Sequence, residues 1–174
     1  MEEKKVMTHV TKGVLASLIL IVIGVVGHIT GIETQGWFRW ISLIVLCIAV
    51  IWACISYSNQ MNNQVTFGNL FVHGFKMTVV ITLLVIVWTV LSVTLIFPET
   101  KEKAMEMARQ NMIDQGKLTD AQIDQAVETA KKFFLVIVIG TILFGTLLVG
   151  AIASLIGAAI AKKKPINPLD QMSM

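Results

Sequence analysis

Charge is scarce in this chain. Of its 174 residues only 14% are charged and 55% are hydrophobic, whereas a soluble domain carries about 25% charged residues. Several apolar runs are long enough to cross a bilayer as helices. An ordinary soluble domain is thereby excluded, and the chain reads as an integral membrane protein. The net charge of +3 is small. Its bases cluster at the termini and loop edges, which marks membrane topology and not a nucleic-acid surface.

The vocabulary of catalysis is missing as well. No Walker loop, GxGxxG, GxSxG or HExxH occurs. His9, His28 and His73 are scattered without metal-ligand spacing. No enzyme, no cofactor and no metal site is therefore expected. Only two cysteines are present, Cys47 and Cys54. Seven residues apart on one helix, their backbones are roughly 10 Å from each other, beyond disulfide reach. They read as small apolar residues on one face. The span interiors lack acids and bases, with Lys76 only at the edge of the third. An ion-coupled pump keeps an ionisable relay at membrane depth, so a transporter working alone is disfavoured.

What is present is four spans and one polar interruption, an all-α bundle. The spans are read at residues 13–31, 37–57, 77–97 and 133–161. Lys4, Lys5 and Lys12 precede the first, and no small-x-small cleavage site follows it, so it is read as an uncleaved span. Gly27 and Gly31 form a GxxxG pattern near its end. Trp37, Phe38 and Trp40, with Arg39 beside them, form an aromatic belt opening the second span, and Tyr57 marks its far interface. Glu33 lies in the turn between the two spans. Residues 58–65 are polar and uncharged and read as a return loop, after which Thr66 can cap a helix. Phe67, Phe71 and Phe75 recur along one face of that helix. Asn69, His73 and Lys76 lie along another and are the candidates for contact with a lipid headgroup or anion. In the fourth span Thr146, Gly150, Ser154 and Ala158 repeat every four residues, a small-residue ridge for helix packing. That span ends at Lys162, Lys163, Lys164 and Pro165.

The interruption, residues 98–132, carries 13 of the chain's 14 basic and 11 acidic side chains. Pro98 suits the first turn of a helix, and Glu99 and Glu102 suit its positive end. Gly116 stops this first arm. Thr119 and Gln122 form a capping box that starts a second arm, which ends on Lys131 and Lys132. Ala104, Met105, Ala108 and Met112 stripe the first arm; Ile123, Ala126, Val127 and Ala130 stripe the second. An antiparallel extramembrane hairpin is expected. Met105, Met107 and Met112 are read as exposed, adaptable contacts for a partner. The lysine clusters at both termini place the termini inside.

Thr66-Phe67-Gly68, Gly74-Phe75, Pro98-Glu99, 118–123 (Leu-Thr-Asp-Ala-Gln-Ile) and 152–156 (Ile-Ala-Ser-Leu-Ile) before Lys162-Lys163 carry a resemblance over nearly the whole chain. In order and spacing they resemble the small bacterial membrane proteins of domain-of-unknown-function family 4199. That resemblance implies a four-helix inner-membrane protein and supplies no activity. The residues themselves point to an accessory or scaffold protein that lives in the lipid bilayer. It would engage another membrane or envelope protein through the hairpin. The alternative is a small transporter or channel assembled as a homo-oligomer.

Overall fold

The structure, a computed structural model, describes residues 7–32 and 35–164. Lys4, Lys5, Glu33 and Pro165 lie outside the described residues, as does the side chain of Arg39. The described residues are helical and contain no strand. In order they form α1 (His9–Thr30), α2 (Gly36–Gln60), α3 (Phe67–Leu91), α4 (Glu99–Gln115), α5 (Asp120–Lys132) and α6 (Phe134–Ile160). α3 runs on through a π-helical turn, Ser92–Ile96. Among the described residues, four helices are long and apolar enough to cross a membrane: His9–Thr30, Gly36–Gln60, Phe67–Ile96 and Phe134–Ile160.

Local chemistry sets the boundaries. Thr8 opens α1 by accepting the Thr11 N–H at 3.2 Å. Gly31 closes it at φ 72°, a left-handed cap that glycine adopts without steric cost. Gly31 therefore terminates the helix, and only the other glycine of the GxxxG pattern packs: a Cβ on Gly27 would overlap the Phe38 ring of α2. Asn62 and Asn63 turn the chain after α2 with φ of 52° and 64°, a region asparagine tolerates. Thr66 accepts the Asn69 N–H at 3.2 Å. α3 is already helical from Phe67, so the interfacial segment and the span read at 77–97 are one continuous helix.

The chain divides into two compact units. One comprises Met1–Val85 with Gly145–Met174, the other Ile86–Phe144. In the first, Ala16 of α1, Leu46, Val50 and Ala53 of α2, Met77 and Ile81 of α3, and Ala153 of α6 share one core. Val65, Leu70, Ala158 and Ala161 form a second cluster nearby. Small residues set the spacing: a Cβ on Gly74 would lie 2.7 Å from Cys54 Sγ and 2.8 Å from Ser154 Oγ. The return loop holds the end of α6, because the Lys164 N–H donates to the Asn63 carbonyl at 2.8 Å and the Ser58 hydroxyl donates to the Lys162 carbonyl.

The second unit contains α4 and α5. Met105, Ile123, Val127 and Phe134 are its buried core, flanked by Val93, Ala104 and Met112. Gly116, at φ 61°, ends α4. At the start of α5 the Thr119 N–H donates to Gln122 Oε1 at 3.0 Å, completing one arm of the capping box. Arg109 meets Asp124 at 2.7 Å, a pairing across the turn between the two antiparallel arms.

Candidate functional site

The first unit gathers ionisable and polar side chains at the start of α1, the end of α2 and the start of α3. Lys12 is the largest surprise. It is only 1% exposed, in a helix that the sequence reading began one residue later. Lys12, Gly13, Ala16 and Ser17 are all buried on α1. The small members of that face allow close packing: a Cβ on Gly13 would stand 2.8 Å from Val80 Cγ1 of α3. The lysine is carried inward with them. Its Nζ donates to the Ala53 carbonyl at 3.4 Å and lies 5.7 Å from the centre of the Trp52 ring, a cation–π arrangement. The expectation of spans without buried charge is corrected here.

His73 is corrected too. Asn69 and Lys76 are exposed on α3, as expected of headgroup contacts, but His73 is buried. Its ring stacks on Tyr57 with centroids 4.0 Å apart and 13° between planes. His9 approaches it edge-on at 5.8 Å. Its Nε2 is buried without a hydrogen-bond partner. Cys54, close by, donates to the Leu70 carbonyl at 3.5 Å. The three residues read as one headgroup face are thus divided, because the inward side of α3 meets Tyr57 and not lipid.

The chemistry of this cluster is one-sided. Every carboxylate among the described residues lies within residues 99–128, in the other unit. Lys12 therefore has no acidic partner in its own unit among the described residues. Among the described residues the group supplies positive charge and nitrogen atoms but no carboxylate. No three His, Cys, Asp or Glu side chains among the described residues are placed to hold a metal ion.

Residues 11–163 match a family described as "Protein of unknown function (DUF4199)". The chain belongs to this family. No curated protein and no solved structure matches it. In this DUF4199 protein the α6 ridge is placed as follows. Gly150, Ser154 and Ala158 are buried and Thr146 is half-buried. A Cβ on Gly150 would overlap Thr78 of α3, and Ala158 packs in the cluster with Leu70 and Val65. Sequence reasoning named one side of this contact and missed the other, Gly74 and Thr78 on α3 with Cys54 on α2. Their four-residue spacing from Leu70 through Gly74 to Thr78 was the available signal. The hydroxyls are internally satisfied: Ser154 donates to the Gly150 carbonyl at 2.7 Å, Thr78 to Gly74 at 3.1 Å and Thr82 to Thr78 at 2.9 Å.

The methionines of the hairpin do not form one surface. Met105 is 8% exposed and belongs to the core between the arms. Met112 is half-buried beside it, and Met107 alone is exposed. The expectation of three exposed methionines is corrected. The stripe that carries Met105 and Met112 is the one α4 turns toward α5.

Proposed function

We propose that this membrane protein is a non-enzymatic accessory whose spans anchor the 98–132 hairpin, and that the hairpin engages another membrane or envelope protein. One observation carries the reading: the hairpin arms pack on each other at Met105, Ile123 and Val127, and Phe134 at the start of α6 completes that core. A segment that satisfies its own apolar stripes keeps a fixed shape, with its charged outer faces and Met107 available to a partner. The lysine clusters argue for cytoplasmic termini, and the family resemblance supports a bacterial inner membrane.

The test is site-specific photo-cross-linking in intact membranes. A photoreactive residue at exposed Met107 should capture a protein, while one at Phe144, 76% exposed on α6, should capture lipid. Protein captured at Phe144 and none at Met107 would move the contact into the bilayer. Topology is read separately, with a single cysteine at Asp114 in a chain lacking Cys47 and Cys54. Labelling of intact cells by an impermeant thiol reagent supports an external hairpin, and labelling only after lysis reverses it.

A second reading, a small oligomeric transporter or channel, draws on the buried Lys12 and His73, because ionisable groups within spans mark transport paths. The satisfied hydroxyls of α3 and α6 count against it. Ion flux in proteoliposomes that disappears in Lys12→Met would favour it.

A further inference from the structure

A cavity at the foot of the hairpin combines two kinds of lining. It has a volume of about 330 Å³, and its lining includes Lys101, Lys131 and Lys132 together with Thr94, Phe134, Leu135 and Val136. All of these belong to the unit Ile86–Phe144. The lysines stand at the chain's polar boundaries: the third span ends at Ile96 and the fourth begins at Phe134. Lys101 thus follows one span closely and Lys131 and Lys132 immediately precede the next. Where those spans leave the hydrocarbon, the three ammonium groups fall at headgroup level, while Leu135 and Val136, which also line the cavity, are the exposed apolar residues below them.

The charges there are poorly compensated. Lys132 pairs with Glu128 at 3.0 Å. Among the described residues neither Lys101 nor Lys131 has a carboxylate partner; Lys101 instead stands 5.8 Å above the Phe134 ring. The acids of the first turn of α4, Glu99 and Glu102, do not line the cavity. The π-helical turn at Ser92–Ile96 widens the backbone at the apolar wall, with the Phe97 N–H reaching back to the Ser92 carbonyl at 2.7 Å. Such turns recur at functional sites.

We infer that this cavity binds the headgroup of an anionic phospholipid, its phosphate between Lys101 and Lys131 and an acyl chain along Leu135 and Val136. The occupant is fixed by the pairing of uncompensated positive charge with an apolar wall, a combination that a free phosphate does not need. Basic pockets beside spans recognise acidic headgroups for the same reason.

The full-length protein, purified in mild detergent, is titrated with phosphatidylglycerol or phosphatidylcholine, and bound lipid is counted by native mass spectrometry. Phosphatidylglycerol should bind selectively. Lys101→Gln with Lys131→Gln should weaken it about thirtyfold, each lysine near a membrane surface contributing about fivefold. Lys103→Gln with Lys117→Gln removes equal charge outside the cavity and should leave binding within about twofold. Thr94→Trp fills the cavity without changing charge and should also weaken binding, which decides the matter if the double variant misfolds. Equal binding of phosphatidylcholine overturns the inference. So does an equal loss in both lysine pairs, which would mean diffuse surface attraction. Displacement of the lipid by millimolar inorganic phosphate overturns it in favour of a free-anion site.

Discussion

The bundle of Met1–Val85 with Gly145–Met174 and the unit Ile86–Phe144 cohere by different means. The bundle relies on close approach. Gly74 lies against Cys54 and Ser154, Gly150 against Thr78, and Gly13 against Val80. Helices in lipid gain no hydrophobic free energy by leaving it for each other, so tight contact at small residues holds them. The hairpin relies on what stabilises helices in water: apolar stripes turned inward, a capping box, and a glycine stop. The comparison also separates their charges. The hairpin carries its acids and bases outward, with pairs at Arg109–Asp124 and Glu128–Lys132. The bundle buries one cation, Lys12, against a carbonyl and an aromatic face.

The largest effect is expected where that contrast is reversed. Lys12→Glu would press a carboxylate against the Ala53 carbonyl and the Trp52 ring, and should cost about 3–5 kcal/mol, the scale of an uncompensated buried charge. Lys12→Met keeps the shape without the charge and should stay within about 1 kcal/mol of the parent. Thermal unfolding in detergent measures both. An equal loss in the two variants would make the ammonium itself structural.

Next in size is the packing of the bundle. Gly150→Leu should cost about 1–3 kcal/mol by overpacking, because Thr78 already occupies the space. Gly145→Leu should be near neutral, since nothing lies within 4 Å of its Cβ position. Unchanged stability in Gly150→Leu would place the ridge against lipid.

The hairpin should respond more gently. Thr119→Ala removes the cap of α5 and should cost about 1 kcal/mol, seen as faster hydrogen exchange over Asp120–Lys132 with α6 unaffected. Asp124→Asn breaks a pair whose side chains are 41% and 60% exposed. It should cost less than about 1 kcal/mol, falling further at high salt. Denaturant titration at two ionic strengths checks it.

The hairpin was far more legible in the sequence than the buried cluster. α4 runs from Glu99 to Gln115 as Pro98 and Gly116 dictate, because both act on the backbone nearest them. Thr119 and Gln122 marked the start of α5 for the same reason. Lys12 and His73 were misread because each sits near a span end, where sequence alone suggests an interface. Their burial depends on which faces of α1, α2 and α3 meet, a matter of tertiary packing. The run Lys12, Gly13, Ala16, Ser17 was the local sign that α1 turns this face inward. Met105 failed differently: its stripe was visible, but the same stripe was also offered as exposed, and a stripe that packs two arms together is not available to a third party.

The hairpin should open as one cooperative unit, separately from the bundle. Native-state hydrogen exchange in detergent across a denaturant series tests it most directly, because it resolves separate opening units by their free energies. Amides of α4 and α5 should converge on one common opening curve, below the curve shared by the buried amides of α2 and the second half of α6. Separate curves for α4 and α5, or a single curve that merges both with the bundle, would contradict the account.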